Sequence, residues 1–79
     1  MMAYRRFIRR SKSGCNVFWE IHRMKDKRSL YRRWGFSNGE GIRVKIDRFD
    51  NESELENVET HLIWKRLVNG YREECHPIE

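Results

Sequence analysis

The sequence predicts an α+β fold: an antiparallel sheet of four to five strands with one helix packed on its apolar face, in a single domain over residues 1–79. Three observations predict it. Four runs before residue 50 are rich in β-forming residues and separated by turn residues. One stretch after residue 50 has helical periodicity, acidic at its start and basic at its end. The chain is short, so a single thin core must serve the whole molecule, and ten aromatic residues supply much of its area.

The first strand is expected over residues 3–9, with Tyr4, Phe7 and Ile8 as its apolar points. Ser11-Lys12-Ser13-Gly14 then reads as a turn. Residues 16–23 form the second strand. Alternation puts Val17, Trp19 and Ile21 on one face and Phe18, Glu20 and His22 on the other. Met24–Arg28 is a charged connection with Asp26-Lys27 at its tip, and residues 29–34 return as the third strand. Residues 35–41 hold three glycines and read as a loop. Asn38-Gly39 fits a hairpin turn, and the same glycines would also let a ligand approach the backbone.

Residues 42–49 alternate most clearly of all. Ile42, Val44 and Ile46 are expected toward the core, with Arg43, Lys45 and Asp47 toward solvent. The helix follows. Ser53 and Glu56 have capping-box spacing, with Asp50 as a rival N-cap. Leu55, Val58, Leu62, Ile63 and Leu67 form its apolar arc, and Trp64 lies at the arc's edge. Asn69-Gly70 ends the helix, and residues 71–74 add a short last strand. Pro77 falls in a tail expected to fray.

Charge separates the halves of the chain. Residues 1–33 carry eleven Lys/Arg against Glu20 and Asp26, whereas residues 34–79 carry six against ten acids. Such asymmetry points to one cationic face. No segment is apolar for long enough to span a bilayer, and the N-terminus lacks a signal-peptide apolar run, so a cytoplasmic protein without a membrane partner is expected. Cys15 and Cys75 form no CxxC pair and read as plain thiols. The two opening methionines fit a complete small protein.

Catalytic signatures are missing. No nucleophile elbow, P-loop or dinucleotide fingerprint occurs, and His22, His61 and His76 are scattered. Pairs such as Cys15 with His22, or Cys75 with His76, lack an orienting third group. Zinc sites use paired short spacings that the cysteines and histidines do not show. No enzyme, no metal and no cofactor is therefore expected. Glu52, Glu54, Glu56 and Glu59 are read as dipole and solubility residues rather than a carboxylate pair.

The residues that carry a function are Tyr31-Arg32-Arg33-Trp34-Gly35. Indole offers a flat stacking surface, and guanidinium a phosphate-binding fork. Trp34 is expected to stack on a base or sugar, with Arg32, Arg33, Arg43 and Lys45 on phosphates. No basic recognition helix is present, so weak, sequence-tolerant nucleic-acid binding is the expectation. DNA is favoured over RNA as the partner, a choice the residues by themselves leave open. The alternative is a protein-interaction module that recruits an acidic partner, with the first strand as a free edge for β-strand addition. Composition leaves the oligomeric state open.

Phe18-Trp19-Glu20-Ile21, Tyr31-Arg32-Arg33-Trp34-Gly35, the glycine loop, the strand ending in Phe49 and the helix closed by Gly70-Tyr71 together resemble the WGR domain. The resemblance runs from about residue 4 to 74. The family occurs in poly(ADP-ribose) polymerases and as small or appended bacterial domains. It implies an antiparallel sheet with a packed helix, binding to damaged DNA ends, and a nucleotide contact for Trp34. Phe36 stands where the family motif has arginine. In the polymerases that arginine relays DNA binding to neighbouring domains, so no such relay carries over. Phe36 would be either a second aromatic platform or a buried ring.

Overall fold

The computed structural model describes residues 4–74 and bears out the α+β architecture. The strands are β1 (Tyr4–Arg10), β2 (Asn16–Arg23), β3 (Ser29–Phe36), β4 (Arg43–Arg48) and β5 (Arg72–Glu73), with α1 (Glu52–Val68) before β5. They form one open antiparallel sheet in the order β4-β3-β2-β1-β5. β1 to β4 are joined in sequence as a meander, and the helix carries the chain back across the sheet to place β5 beside β1. Pro77, Cys75 and His76 lie outside the described residues.

Register assigns the two faces, because residues directly opposite in a ladder point the same way. Phe7, Trp19 and Trp34 face one another in successive strands, and so do Arg5, Ile21, Arg32 and Lys45. This is the helix side. Phe7, Trp19, Ile21 and Leu30 bury there against Leu55 and Ile63 of α1. Trp19 is 1% exposed and Phe7 is fully enclosed. Each such side chain contributes about 1.5–3 kcal/mol by leaving water. Val58 and Leu62 pack partly against the same core. The outer side of the helix keeps Trp64 58% exposed, stacked on His61 with ring centroids 6.2 Å apart. Leu67, expected in the apolar arc, is instead about half exposed.

The helix begins one residue after Asn51, not at Ser53 or Asp50. Asn51 accepts a hydrogen bond from the Glu54 N–H at 2.8 Å, and the Glu54 carboxylate accepts one from the Asp50 N–H at 3.3 Å. The capping residues are thus shifted from the expected pair, with the same chemistry. Glu52, Glu56 and Glu59 have a use beyond the dipole. They converge on Arg23 at 3.6, 3.5 and 2.7 Å, fastening the start of the helix to β2. At the far end Gly70 takes φ +91°, the left-handed conformation that a glycine adopts without strain.

β4 overturns one expectation. Its apolar residues point away from the helix. Val44 lies opposite Arg33 and Ile46 opposite Tyr31, and both are just over half exposed. Arg43, Lys45 and Asp47 instead share the helix-side face with Trp34, Arg32 and Leu30. Pairing with β3 decides the orientation: Asp47 accepts a hydrogen bond from Arg32 at 2.5 Å, which requires both on one face. The first strand is also not the long free edge. β5 and Glu74 cover part of it, through Phe7–Glu73, Ile8–Arg72 and the Glu74 N–H to the Arg6 carbonyl. β4, paired only with β3 among the described residues, is the open edge of the sheet.

The candidate nucleic-acid interface

The strand alternation that orders the sheet also sorts the basic residues. On the helix side, Trp34 lies opposite Arg43, and Arg32 opposite Lys45. Phe36, two residues beyond Trp34, shares that face and is 37% exposed, which answers whether it is buried. Four of the five expected binding residues therefore come together. The fifth, Arg33, does not. It projects from the opposite face, where it donates a hydrogen bond to Glu20 at 3.2 Å and lies over the Phe18 ring at 5.3 Å.

Trp34 is half-buried, with part of its ring packed against the core. It also lines an open cavity of about 230 Å³. Arg9, Val17, Phe36, Arg43 and Tyr71 form much of the remaining wall. Arg9 enters because it sits two positions after Phe7 on the helix-side face, and Tyr71 because the helix stop at Gly70 turns it inward. The Arg9 guanidinium covers the Tyr71 ring at 4.8 Å and donates to the Asn69 carbonyl at 3.2 Å. Gly35 keeps the floor close to the loop. A Cβ there would fall 2.9 Å from Ile42 Cδ1, 3.0 Å from Ile42 Cα and 3.1 Å from the Gly41 carbonyl.

Arg66 approaches from α1, 4.8 Å from the Trp19 ring and 5.8 Å from that of Tyr71. Burial holds its guanidinium below the ordinary arginine value, and repulsion from Arg32 and Arg9 acts the same way against a partial offset from Tyr71. Trp19 Nε1, Arg32 Nε and Arg66 Nε are buried donors without an acceptor among the described residues. All three belong to residues on or above the helix-side face. Sequence reasoning offered Phe36 as one of two alternatives and missed Arg9, Arg66 and Tyr71. Alternation from Phe7 would have placed Arg9, but Arg66 in the last helical turn reads as an ordinary dipole partner.

Carboxylates neutralise much of the N-terminal positive charge. Arg5 pairs with Glu73 at 2.6 Å, Arg6 with Glu20 and Glu74, Arg23 with three glutamates, and Arg32 with Asp47. Around Trp34 the balance differs. Arg9, Arg43 and Arg66 have no carboxylate partner among the described residues, and Lys45 has only Asp47 at 3.9 Å. Indole, phenyl and phenol rings thus stand among four cations that are free or nearly so. The face suits a ligand with flat rings and negative charge. Among the described residues no group of His, Cys, Asp and Glu could hold a metal ion, and no helix is long and apolar enough to cross a membrane. Comparison of the chain with protein-family models, with curated proteins and with solved structures found no match.

Proposed function

We propose that this protein is a nucleic-acid-binding module that holds DNA weakly and without reading its sequence, through the helix-side surface around Trp34. One observation carries the reading: Trp34 and Phe36 share a face with Arg9, Arg43 and Lys45, Arg66 approaches it from α1, and of these cations only Lys45 has a carboxylate partner among the described residues, Asp47 at 3.9 Å. Phosphates meet the cations, and a base or sugar meets the rings. Arg32, held by Asp47, positions the strand pair rather than competing for phosphate. Arg33 takes no part. The resemblance to the WGR domain supports the same face, and the exposed Phe36 adds a second platform where that family has arginine.

No recognition helix enters a groove, because α1 begins with Glu52 and Glu54 and lies against the sheet. Affinity then comes from counterion release and stacking, with Kd in the range of about 10⁻⁴–10⁻⁶ M at physiological salt. Stacking favours strand ends or single strands, where a base is accessible.

Titration of labelled duplex, nicked and single-stranded DNA at two salt concentrations tests this. Binding should weaken steeply as salt rises. Trp34→Ala should lose about 1–3 kcal/mol of affinity while remaining folded. Salt-independent binding, no binding at low salt, or an unchanged affinity in Trp34→Ala would reject the reading. A pull-down that survives nuclease treatment and needs the same cations would point instead to an acidic protein partner.

A further inference from the structure

β4 closes the sheet on one side with no strand beside it among the described residues. Its outward backbone groups can be assigned. The Phe49 N–H donates to the Arg28 carbonyl at 2.7 Å, in the same register as the β3–β4 ladder. Alternation then turns the backbone of Asp47, Lys45 and Arg43 toward β3, and that of Val44, Ile46 and Arg48 outward. The side chains at this edge are accessible on both faces: Val44 and Ile46 are 53% and 54% exposed on one, and the Lys45 side chain is 56% exposed on the other.

We propose that this edge pairs with the same edge of a second copy of the chain, antiparallel, about a two-fold axis at Ile46. Outward groups must meet outward groups, which limits the choice of symmetric registers. Centring on Lys45 or on Asp47 would set like charges directly opposite, and centring on Val44 would set Lys45 against Arg43. Centring on Ile46 sets Lys45 against Asp47 of the second copy, and Asp47 against its Lys45. Arg43 then faces Phe49 of the second copy, and the stem of Arg48 covers Val44. A lysine on an edge strand ordinarily discourages addition of another strand. In this register alone it gains an acid.

The geometry has a consequence for the binding face. The axis runs perpendicular to the sheet, so both helix-side surfaces look the same way. Strand spacing of about 4.8 Å and a rise of about 3.4 Å per residue put the two Trp34 side chains about 25 Å apart. A doubled surface of this kind holds one polyanion at two points. The pairing itself does not depend on nucleic acid. The seam is only six residues long and falls short of a standard interface, so association should be weak, with Kd about 10⁻⁴ M.

Sedimentation equilibrium of the full chain without nucleic acid, from about 10 μM to about 1 mM, tests it. The wild-type average mass should rise from monomer toward dimer. Lys45→Asp and Asp47→Lys should each stay monomeric, while their equimolar mixture should associate, because the acids of one variant then face the lysines of the other. Ile46→Pro should stay monomeric too, since it removes an outward N–H and leaves the ladder to β3 intact. If Asp47→Lys fails to fold for want of its contact with Arg32, Ile46→Pro decides. A wild type that stays monomeric throughout, variants that associate like it, or a mixture of folded variants that does not recover association would overturn the proposal.

Discussion

Glu20 shows how one carboxylate organises the sheet face that the helix leaves bare. It is 5% exposed, accepts hydrogen bonds from Tyr4 at 2.7 Å and Arg33 at 3.2 Å, and is ion-paired with Arg6. The two arginines in turn lie over Phe18 at 4.7 and 5.3 Å, which explains a ring only 3% exposed on an open face. Burial alone would push the Glu20 carboxyl up, but the bonds from Tyr4, Arg6 and Arg33 outweigh it and hold the group below its ordinary value of 4.5. A depressed folded-state pKa adds stability above the unfolded value, and that stability is lost as pH falls through the folded one. Urea midpoints should therefore drop as pH falls below about 4.5. Glu20→Gln should flatten that drop and cost about 1–3 kcal/mol at neutral pH. Equal pH dependence in both proteins would remove Glu20 from this role. The two faces of β2, Trp19 inward and Glu20 outward, could be read from alternation. The same rule separates Arg33 from Arg32 and Trp34, yet proximity in sequence makes the triplet look like one cluster.

At the scale of elements, Gly35 marks where β3 passes closest to the loop before β4. Gly35→Ala places its Cβ against backbone as well as side chain of Gly41 and Ile42. It should lower stability by about 1–3 kcal/mol, as measured by denaturant unfolding, because the loop must move. An unchanged midpoint would mean that the loop yields freely. The helix was largely legible in the sequence, since its caps, charges and stop residue are local signals. Its first residue was displaced only by the choice among neighbouring polar caps. β4 was legible as a strand but not in its facing. An alternating strand reports that its two sides differ, and only the neighbours say which side is covered. Here α1 lies over the middle of the sheet, so apolar Val44 and Ile46 gain nothing by facing it, and Asp47 is drawn to Arg32.

Across the whole molecule, the acidic second half answers part of the basic first half. Arg5, Arg6 and Arg23 are tied to glutamates that come later in the chain, so a count of charges overstates the cationic surface. Part of what remains, Arg9, Arg43 and Lys45, is gathered by the fold around Trp34, with Arg66 approaching from the helix. Sequence could not place this group, because its members come from β1, β3, β4 and α1 and meet only through the meander and the returning helix. The most direct test is the salt dependence of DNA binding in wild type, Arg43→Ala and Arg33→Ala. A side chain on phosphate contributes close to one unit of slope in log Kd against log salt. Arg43→Ala should weaken binding and reduce the slope by about one, while Arg33→Ala should leave the slope unchanged. Loss of slope in Arg33→Ala with none in Arg43→Ala would place the nucleic acid on the other face and contradict the account.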